Sequence, residues 1–364
     1  MMPNPALAHP LVSVIVPARN EELCLGRCVE SLVSQQGVSL EVIVVDDGST
    51  DRTPEIAASI PGVEVVDAGP LPAGWSGKVN AMLAGARAAR GSWLLFTDAD
   101  TVHRPGSLAR ALAEAQQHGA ALLSYSPEQE VHGFWEKAVM PVIFAELAVT
   151  YRPSAVSDPA SPAAAANGQY LLISRSAYDA VGGHAAVSTS LLEDVALARA
   201  VKKSGGKLWF RFGGDAVGAR MYRSFRQLKE GWTKNLILLF PSPLELAWRR
   251  LAEFLLLAGG LVVGIRSAIH GQTKLALASA VLVVGLGTAF FRRIGKAHFS
   301  RMESAFALLG LPIFSYLLLR SRIFHTKGKV TWKGRPCPSS SSSAAGAMRG
   351  ESRPDSGATR SWST

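Results

Sequence analysis

Cysteine is scarce in this chain: Cys24, Cys28 and Cys337 are the only three among 364 residues. Nothing resembles a disulfide framework, which suits a reducing compartment. Cys24 and Cys28 stand four apart on a helical pattern without further soft ligands, so buried structural thiols are a better reading than a zinc site. The first ten residues lack a charged stretch followed by an apolar one, and no cleavable signal is expected. Acidic residues are also scarce, but only in the back of the chain. Residues 216–364 hold 22 Lys/Arg against 6 Asp/Glu, whereas residues 1–215 hold 16 against 22. The basic residues flank long apolar runs, which favours a membrane over a nucleic acid as their partner. The expectation is a soluble acidic unit joined to a basic, membrane-associated one.

What is present in the front half is regular. Apolar runs at 12–17, 40–46, 63–67, 93–98 and 120–125 read as strands. Helical patterns at 21–34, 53–59, 77–90 and 107–118 lie between them. Near-continuous apolar strands with helical crossovers predict an α/β fold around a mainly parallel sheet, covered on both faces. Residues 134–150 are apolar but carry Glu136, Lys137 and Glu146, which fits a packed or surface-lying helix better than a span. Residues 151–166, rich in Pro, Ala and Ser, read as a flexible loop. A compact pattern returns at 167–212, with strands at 169–174 and 208–212 and helices at 176–181 and 192–204.

Residues 221–240 place Arg223, Arg226, Lys229 and Lys234 among Phe225, Leu228, Trp232 and Leu236, the composition of an interfacial helix. Three apolar segments follow, at 251–265, 275–291 and 304–319, each close to the length that crosses a bilayer. The intervening segments 292–301 and 320–335 are both basic, and positive residues favour the cytoplasmic side. Three full spans after a cytoplasmic domain would leave the C-terminus outside, so either one segment is re-entrant or interfacial, which is the favoured expectation, or the tail breaks the charge rule. The last, holding Gly310 and Pro312, is the first suspect. The Ser-rich tail after residue 336 is expected to be disordered.

The chemistry lies in carboxylates at strand ends. Asp46 and Asp47 follow the run Val42-Ile43-Val44-Val45, Asp98 and Asp100 follow Trp93-Leu94-Leu95-Phe96, and Glu193-Asp194 open a helical pattern. Open α/β sheets bind ligands outside the carboxyl ends of their strands. Two acidic pairs there imply one acidic crevice that needs a cation or a polar ligand. A lone Asp-x-Asp is common. Here it follows an apolar strand and lies behind an earlier acidic pair, and its hard oxygens suit Mg²⁺ or Mn²⁺ completed by substrate phosphates. Glu193 and Asp194 alone would be ordinary N-terminal helix charge, worth roughly 0.3–1 kcal/mol. Gly74-Trp75-Ser76-Gly77-Lys78 lacks the spacing of a phosphate-binding P-loop.

Taken in order, Pro17-Ala18-Arg19-Asn20-Glu21, Asp46-Asp47-Gly48-Ser49, Asp98-Ala99-Asp100 and Glu193-Asp194 resemble the family 2 glycosyltransferases with a GT-A fold, over residues 11 to about 240. The resemblance implies that Pro17, Arg19, Glu21 and Asp46 line the nucleoside pocket, with Asp47 beside them. It implies that Asp98 lies by the donor ribose and diphosphate, that Asp100 is the principal metal ligand and that Asp194 is the catalytic base. Within that family the chain looks most like the membrane-anchored carotenoid and hopanoid-associated enzymes. Their Gly-Trp-x-Gly-Lys element makes Lys78 a candidate contact to the donor, though a solvated lysine fits equally. Asn167-Gly168-Gln169-Tyr170 and Gly182-Gly183-His184 match the same branch, so Asn167, Gly168, Gln169, His184 and Glu193 are expected at the acceptor. A satisfied core histidine is the competing reading for His184. The segment 229–235 keeps only the tryptophan of the Gln-x-x-Arg-Trp motif of processive synthases, which argues against a polymer-extruding enzyme. Val330-Thr331-Trp332-Lys333-Gly334 resembles the loop closing over the donor diphosphate in bacterial cellulose synthases, which would make Thr331 and Lys333 phosphate contacts.

The resemblance therefore implies an inverting, metal-dependent transfer of one hexose, UDP-linked, to a hydroxyl of a carotenoid, hopanoid or related lipid at the inner membrane. Residues 1–240 would form the cytoplasmic catalytic domain, 241–325 the membrane helices, 326–336 a returning phosphate-contacting segment and 337–364 the tail. No obligate protein partner is evident. Two other readings stay open. A polyprenyl-phosphate glycosyltransferase or short-glycan synthase would need little help from a base, and a non-catalytic nucleotide-sugar-binding scaffold would transfer nothing.

Overall fold

Valine- and isoleucine-rich runs become strands wherever helices cover both faces of the sheet. A computed structural model describes residues 11–337; the first ten residues and the expected disordered tail beyond 337 lie outside the described residues. Strands β1 (Val12–Ala18), β2 (Leu40–Asp46), β3 (Val63–Asp67) and β4 (Trp93–Phe96) run parallel. Helices α1 (Leu25–Val33), α2 (Thr53–Ser59) and α3 (Gly77–Ala88) connect them. Alternation along β1 sends Val12, Val14 and Val16 into one core layer and Ile15 into the other, where it meets Ile43 and Val45.

The chain continues through β5 (Thr101–His103), α4 (Ser107–His118), β6 (Leu122–Ser126), β7 (Glu128–Gln129) and α5 (Phe134–Thr150). Next come α6 (Pro153–Ser157), β8 (Leu171–Ser174), α7 (Arg175–Ala180), α8 (Gly183–Ala186), α9 (Glu193–Lys203), β9 (Leu208–Phe212) and β10 (Val217–Ala219). The main sheet has the order β3-β2-β1-β4-β8-β6-β9, and only β8 is antiparallel to its neighbours. The mainly parallel α/β expectation holds. A small second sheet, β5-β10-β7, had no counterpart in the sequence reading because its strands are two or three residues long.

The reading of 151–166 as a flexible loop is corrected. Val156, Ala164, Ala165 and Ala166 are buried in the second core layer, and Lys202 Nζ donates to the Val156 and Ala163 carbonyls. Small side chains let this segment lie flat against the sheet, so its composition reflects close packing.

After β10 the fold becomes helical: α10 (Phe225–Leu239), α11 (Pro243–Ile269), α12 (Thr273–Ile294), a 3₁₀ turn at Gly295–Ala297, α13 (Arg301–Ser304) and α14 (Ala307–Thr326). Three helices among the described residues are long and apolar enough to cross a membrane. α11 and α12 form a hairpin in which Gly260 and Gly264 face Val283 and Ser279, the small-residue contact that brings membrane helices close. Its two most apolar windows are 11% buried, against 44% for that of α14. α14 packs on α5, α10 and α11, and a Cβ at Gly310 would stand 1.8 Å from the Ala138 carbonyl oxygen. Pro312 is accommodated within α14, whose Ser315 hydroxyl donates to the Ala247 and Leu311 carbonyls.

Past α14 the chain returns to the α/β sheet. β11 (Thr331–Trp332) and β12 (Arg335–Pro336) form a hairpin around Lys333 and Gly334, with φ of 46° and 76°. Positive φ at both central residues is the turn that matches strand twist.

Candidate active site

Parallel strands bring the predicted carboxylates to one edge. The Asp47 N–H donates to the Ala18 carbonyl at 2.9 Å, and the Thr97 N–H donates to Ile15 at 3.1 Å, so both acidic loops leave the sheet beside β1. Two adjoining cavities open there, of about 250 and 230 Å³. Lys78, Asp98, Gln169 and Glu193 line both, so they form the wall between them.

Pro17, Arg19, Glu21 and Asp47 line the first cavity. Arg19 donates to the Asp47 carbonyl at 2.8 Å. Asp46 was expected beside them, but its carboxylate accepts the Ser49 N–H at 3.2 Å inside the turn, and Asp47 faces the cavity instead. One residue past the strand end, the side chain reverses face. A Cβ at Gly77 would fall 2.1 Å from Asp47 Oδ2, so a side chain there would displace the Asp47 carboxylate.

Lys78 is not a solvated lysine. Its Nζ lies 2.8 Å from Asp98 and 3.0 Å from Glu193. Burial alone would lower its pKa, but Asp98, Glu193 and Asp194 together raise it well above the ordinary lysine value. Burial would raise the Glu193 carboxyl, yet Lys78 and Lys234 hold it below the ordinary range. Among the described residues Asp100 makes no ion pair. Burial first, then Asp98 and Glu21, push its carboxyl up to about 7, and Lys78 pulls it down only as the last of several influences. Only the Gln169 amide, 3.4 Å away, contacts it. Gln169, expected at the acceptor, therefore also braces the Asp98–Asp100 loop.

Asp194 lines the second cavity and not the first. Its Oδ2 accepts the Gly168 N–H at 2.8 Å and its Oδ1 the Val195 N–H at 2.7 Å. Burial first, then Glu193, raise its carboxyl to about 6 against the pull of Lys78 and those two N–H groups. A Cβ at Gly168 would come within 3.0 Å of Lys78 Nζ and 3.5 Å of Asp194 Oδ2. Asn167 shares this cavity, whose apolar side is formed by Phe144, Leu147, Tyr151, Phe212 and Trp232. His184 lines neither cavity. Its Nδ1 meets the Tyr178 hydroxyl at 3.0 Å, its ring stands edge-on to Phe96, and burial lowers its pKa to about 4, so it is a neutral core histidine.

The β11–β12 hairpin closes the first cavity. Lys333 Nζ donates to Glu21 Oε1 and, at 2.9 Å, to the Arg19 carbonyl. Arg335 grips both Asp47 oxygens at 3.0 and 2.8 Å. Thr331, expected as a phosphate contact, is exposed and lines neither cavity. Arg335 went unnoticed in the sequence. The available signal was the Lys333-Gly334 pair, whose turn chemistry returns the chain and aims the next side chain back. Lys234, read as an interfacial charge, lines both cavities and stands over the Trp332 ring at 5.3 Å.

Residues 13–182 match the family described as Glycosyl transferase family 2. The 4,4'-diaponeurosporenoate glycosyltransferase of Staphylococcus aureus (strain USA300) is 29% identical over 336 residues, 90% of this chain and 88% of the relative. The same enzyme of strain MRSA252 matches at 29% over the same lengths. Among solved structures, a mannosyltransferase of Pyrobaculum calidifontis in complex with GDP-Man and Mn²⁺ shares 18% identity, covers 87% of each chain and superposes with a TM-score of 0.52, a likeness of fold. The chain is a glycosyltransferase in which residues 13–182 match the family 2 model, on a GT-A-like mainly parallel sheet followed by three apolar helices of membrane-spanning length.

Proposed function

We propose that this enzyme moves one hexose, with inversion, from a UDP-linked donor in the first cavity to a hydroxyl of a carotenoid- or hopanoid-like lipid in the second. The observation that carries the reading is the pair of adjoining cavities, one lined by Arg19, Lys333 and the Asp98–Asp100 loop, the other holding Asp194 opposite an apolar side. Asp194 takes the acceptor proton while the oxygen attacks the anomeric carbon opposite the departing diphosphate. A carboxyl raised to about 6 is still ionised near neutral pH yet basic enough to accept a proton. Lys78, Lys333 and Arg335 offer cationic groups to the leaving diphosphate.

The donor set fits a divalent ion. Asp98 and Asp100 supply hard carboxylate oxygens, and with no third His, Cys, Asp or Glu grouped with them among the described residues, substrate phosphates would have to complete the shell. Asp98 and Asp100 would hold Mg²⁺ or Mn²⁺, and the crowding that raises Asp100 is what a cation relieves. When bound, the ion neutralises charge on the diphosphate as a Lewis acid.

The proposed topology has α11 and α12 crossing the inner membrane as a hairpin while α14 remains at the cytoplasmic interface. Its support is twofold: Gly310 is wedged on α5, and the strap after α14 returns to Glu21 and Asp47. Five basic residues, Arg249, Arg250, Arg292, Arg293 and Lys296, lie at the domain end of the hairpin, against Arg266 and Lys274 near its tip, a bias that supports a cytoplasmic catalytic side.

The test is incubation of the detergent-solubilised enzyme with labelled UDP-hexoses and a bacterial lipid extract. The expected product is a lipid heavier by one hexose and of inverted anomeric configuration by NMR. Label found only in water-soluble or polymeric products overturns the reading. Lys333→Ala should raise the donor KM about tenfold, the scale of one charged hydrogen bond, and leave the acceptor KM alone. Thr331→Val, outside the cavity, should change neither.

A carboxylate acceptor is the second reading, since the Staphylococcus aureus relative is named for diaponeurosporenoate, a carboxylate. Such a nucleophile carries no proton, so the Asp194 variant distinguishes the two.

A further inference from the structure

Four charged side chains outside both cavities close into a ring where the α11–α12 hairpin meets α5. Arg250 lies 2.9 Å from Glu146 and 2.8 Å from Glu253, and Arg293 lies 3.0 and 2.8 Å from the same two carboxylates. The side chains are 4–15% exposed, and the ring sums to zero charge. Both Nε atoms face Glu146 Oε1 at ion-pair distance but outside hydrogen-bond alignment, so Glu146 is held mainly by charge and by Arg250 Nη2 at 3.2 Å. Ionisable groups at a membrane boundary are costly unless paired, and here each carboxylate serves both guanidinium groups.

The ring stands directly on the walls of the second cavity. On α5, Glu146 is flanked by the lining residues Phe144, Leu147 and Ala148. At the end of α12, Arg293 precedes the lining residues Lys296, Ala297 and His298. The 3₁₀ turn packs on α5, and Phe144 and Phe299 meet edge-on at 6.1 Å. The apolar windows of the hairpin are only 11% buried, and at its base the ring ties α11 and α12 to Glu146 of α5.

We propose that the Glu146–Arg250–Glu253–Arg293 ring is a positioning device for the acceptor, fixing the gap between α5 and the 295–298 turn through which an apolar chain reaches Asp194. This rests on the acceptor reading of that cavity. The ring touches no reacting atom. It sets the spacing of two walls that also meet through Phe144 and Phe299.

The test uses the full chain in detergent, with Glu146→Gln and Arg293→Gln as variants and a hydroxylated and a carboxylated long-chain polyene as probes. The acceptor KM is expected to rise about tenfold, as small misplacements of a reactant do, with kcat, UDP affinity and acceptor-independent UDP-sugar hydrolysis unchanged. Amide exchange should accelerate at 144–151 and 295–299 and stay at the wild-type rate in β1, β2 and β4. Unchanged acceptor KM and unchanged exchange at both walls overturn the proposal. So does loss of UDP affinity with faster exchange across the sheet, which would make the ring a general stabiliser. A wild-type enzyme that glycosylates neither polyene counts against the acceptor reading, and the exchange arm then decides the ring by itself.

Discussion

Purified Asp194→Asn protein should bind UDP-sugar as the wild type does and transfer it about 10²–10⁴-fold more slowly, the usual worth of a positioned general base. Donor affinity survives because Asp194 lines only the second cavity. The pH profile provides a second readout. A base works when deprotonated, so with its carboxyl raised to about 6, kcat/KM should be full near pH 7.5 and fall as pH drops through 6. The Asn variant should lose that acidic limb. Calorimetric UDP titration and single-turnover transfer measure both. Transfer within a few-fold of wild type would remove Asp194 as the base and favour an acceptor that arrives already ionised, as a carboxylate or a phosphate.

Asp100→Asn should abolish metal-dependent donor binding and reduce transfer by at least about 10²–10³, the cost of losing one preorganised electrostatic group. Folding should be retained or improved, because the substitution removes an anion crowded by Asp98 and Glu21. A melting temperature equal to or above that of wild type separates this from unfolding. Proton release adds a direct test. With the Asp100 carboxyl pushed up to about 7, a good part of it is protonated at neutral pH, and a divalent ion must displace that proton. Mn²⁺ titration of the wild type near pH 7 in the presence of UDP should therefore acidify a weakly buffered solution. The same titration of the Asn variant should not, and equal acidification by both would exclude Asp100 as a ligand.

The parallel strands were legible because their signal is local. β2 and β3 have the predicted bounds, and alternation along β1 feeds two core layers as an apolar, doubly covered strand should. The carboxylates at the ends of β2 and β4 were legible for the same reason, since parallel strands share one edge. Composition misled at 151–166, where alanines that read as flexible are small because they lie against the sheet. It also left His184 undecided between a core and an acceptor role, which only its contacts with Tyr178 and Phe96 resolve.

The sequence by itself determined the α/β class, the strand-end carboxylates, the acidic front and basic back, and the three apolar helices. Each of these is a property of neighbouring residues or of bulk charge. Tertiary structure alone decided that Asp47 and not Asp46 faces the first cavity, that Lys78 joins Asp98 to Glu193, and that Arg335 closes on Asp47. It also decided that Glu146, Arg250, Glu253 and Arg293 form one neutral ring. The physical reason is separation along the chain. Arg335 and Asp47 are 288 residues apart, and no local period records a pairing made only when a late hairpin folds back onto an early strand end.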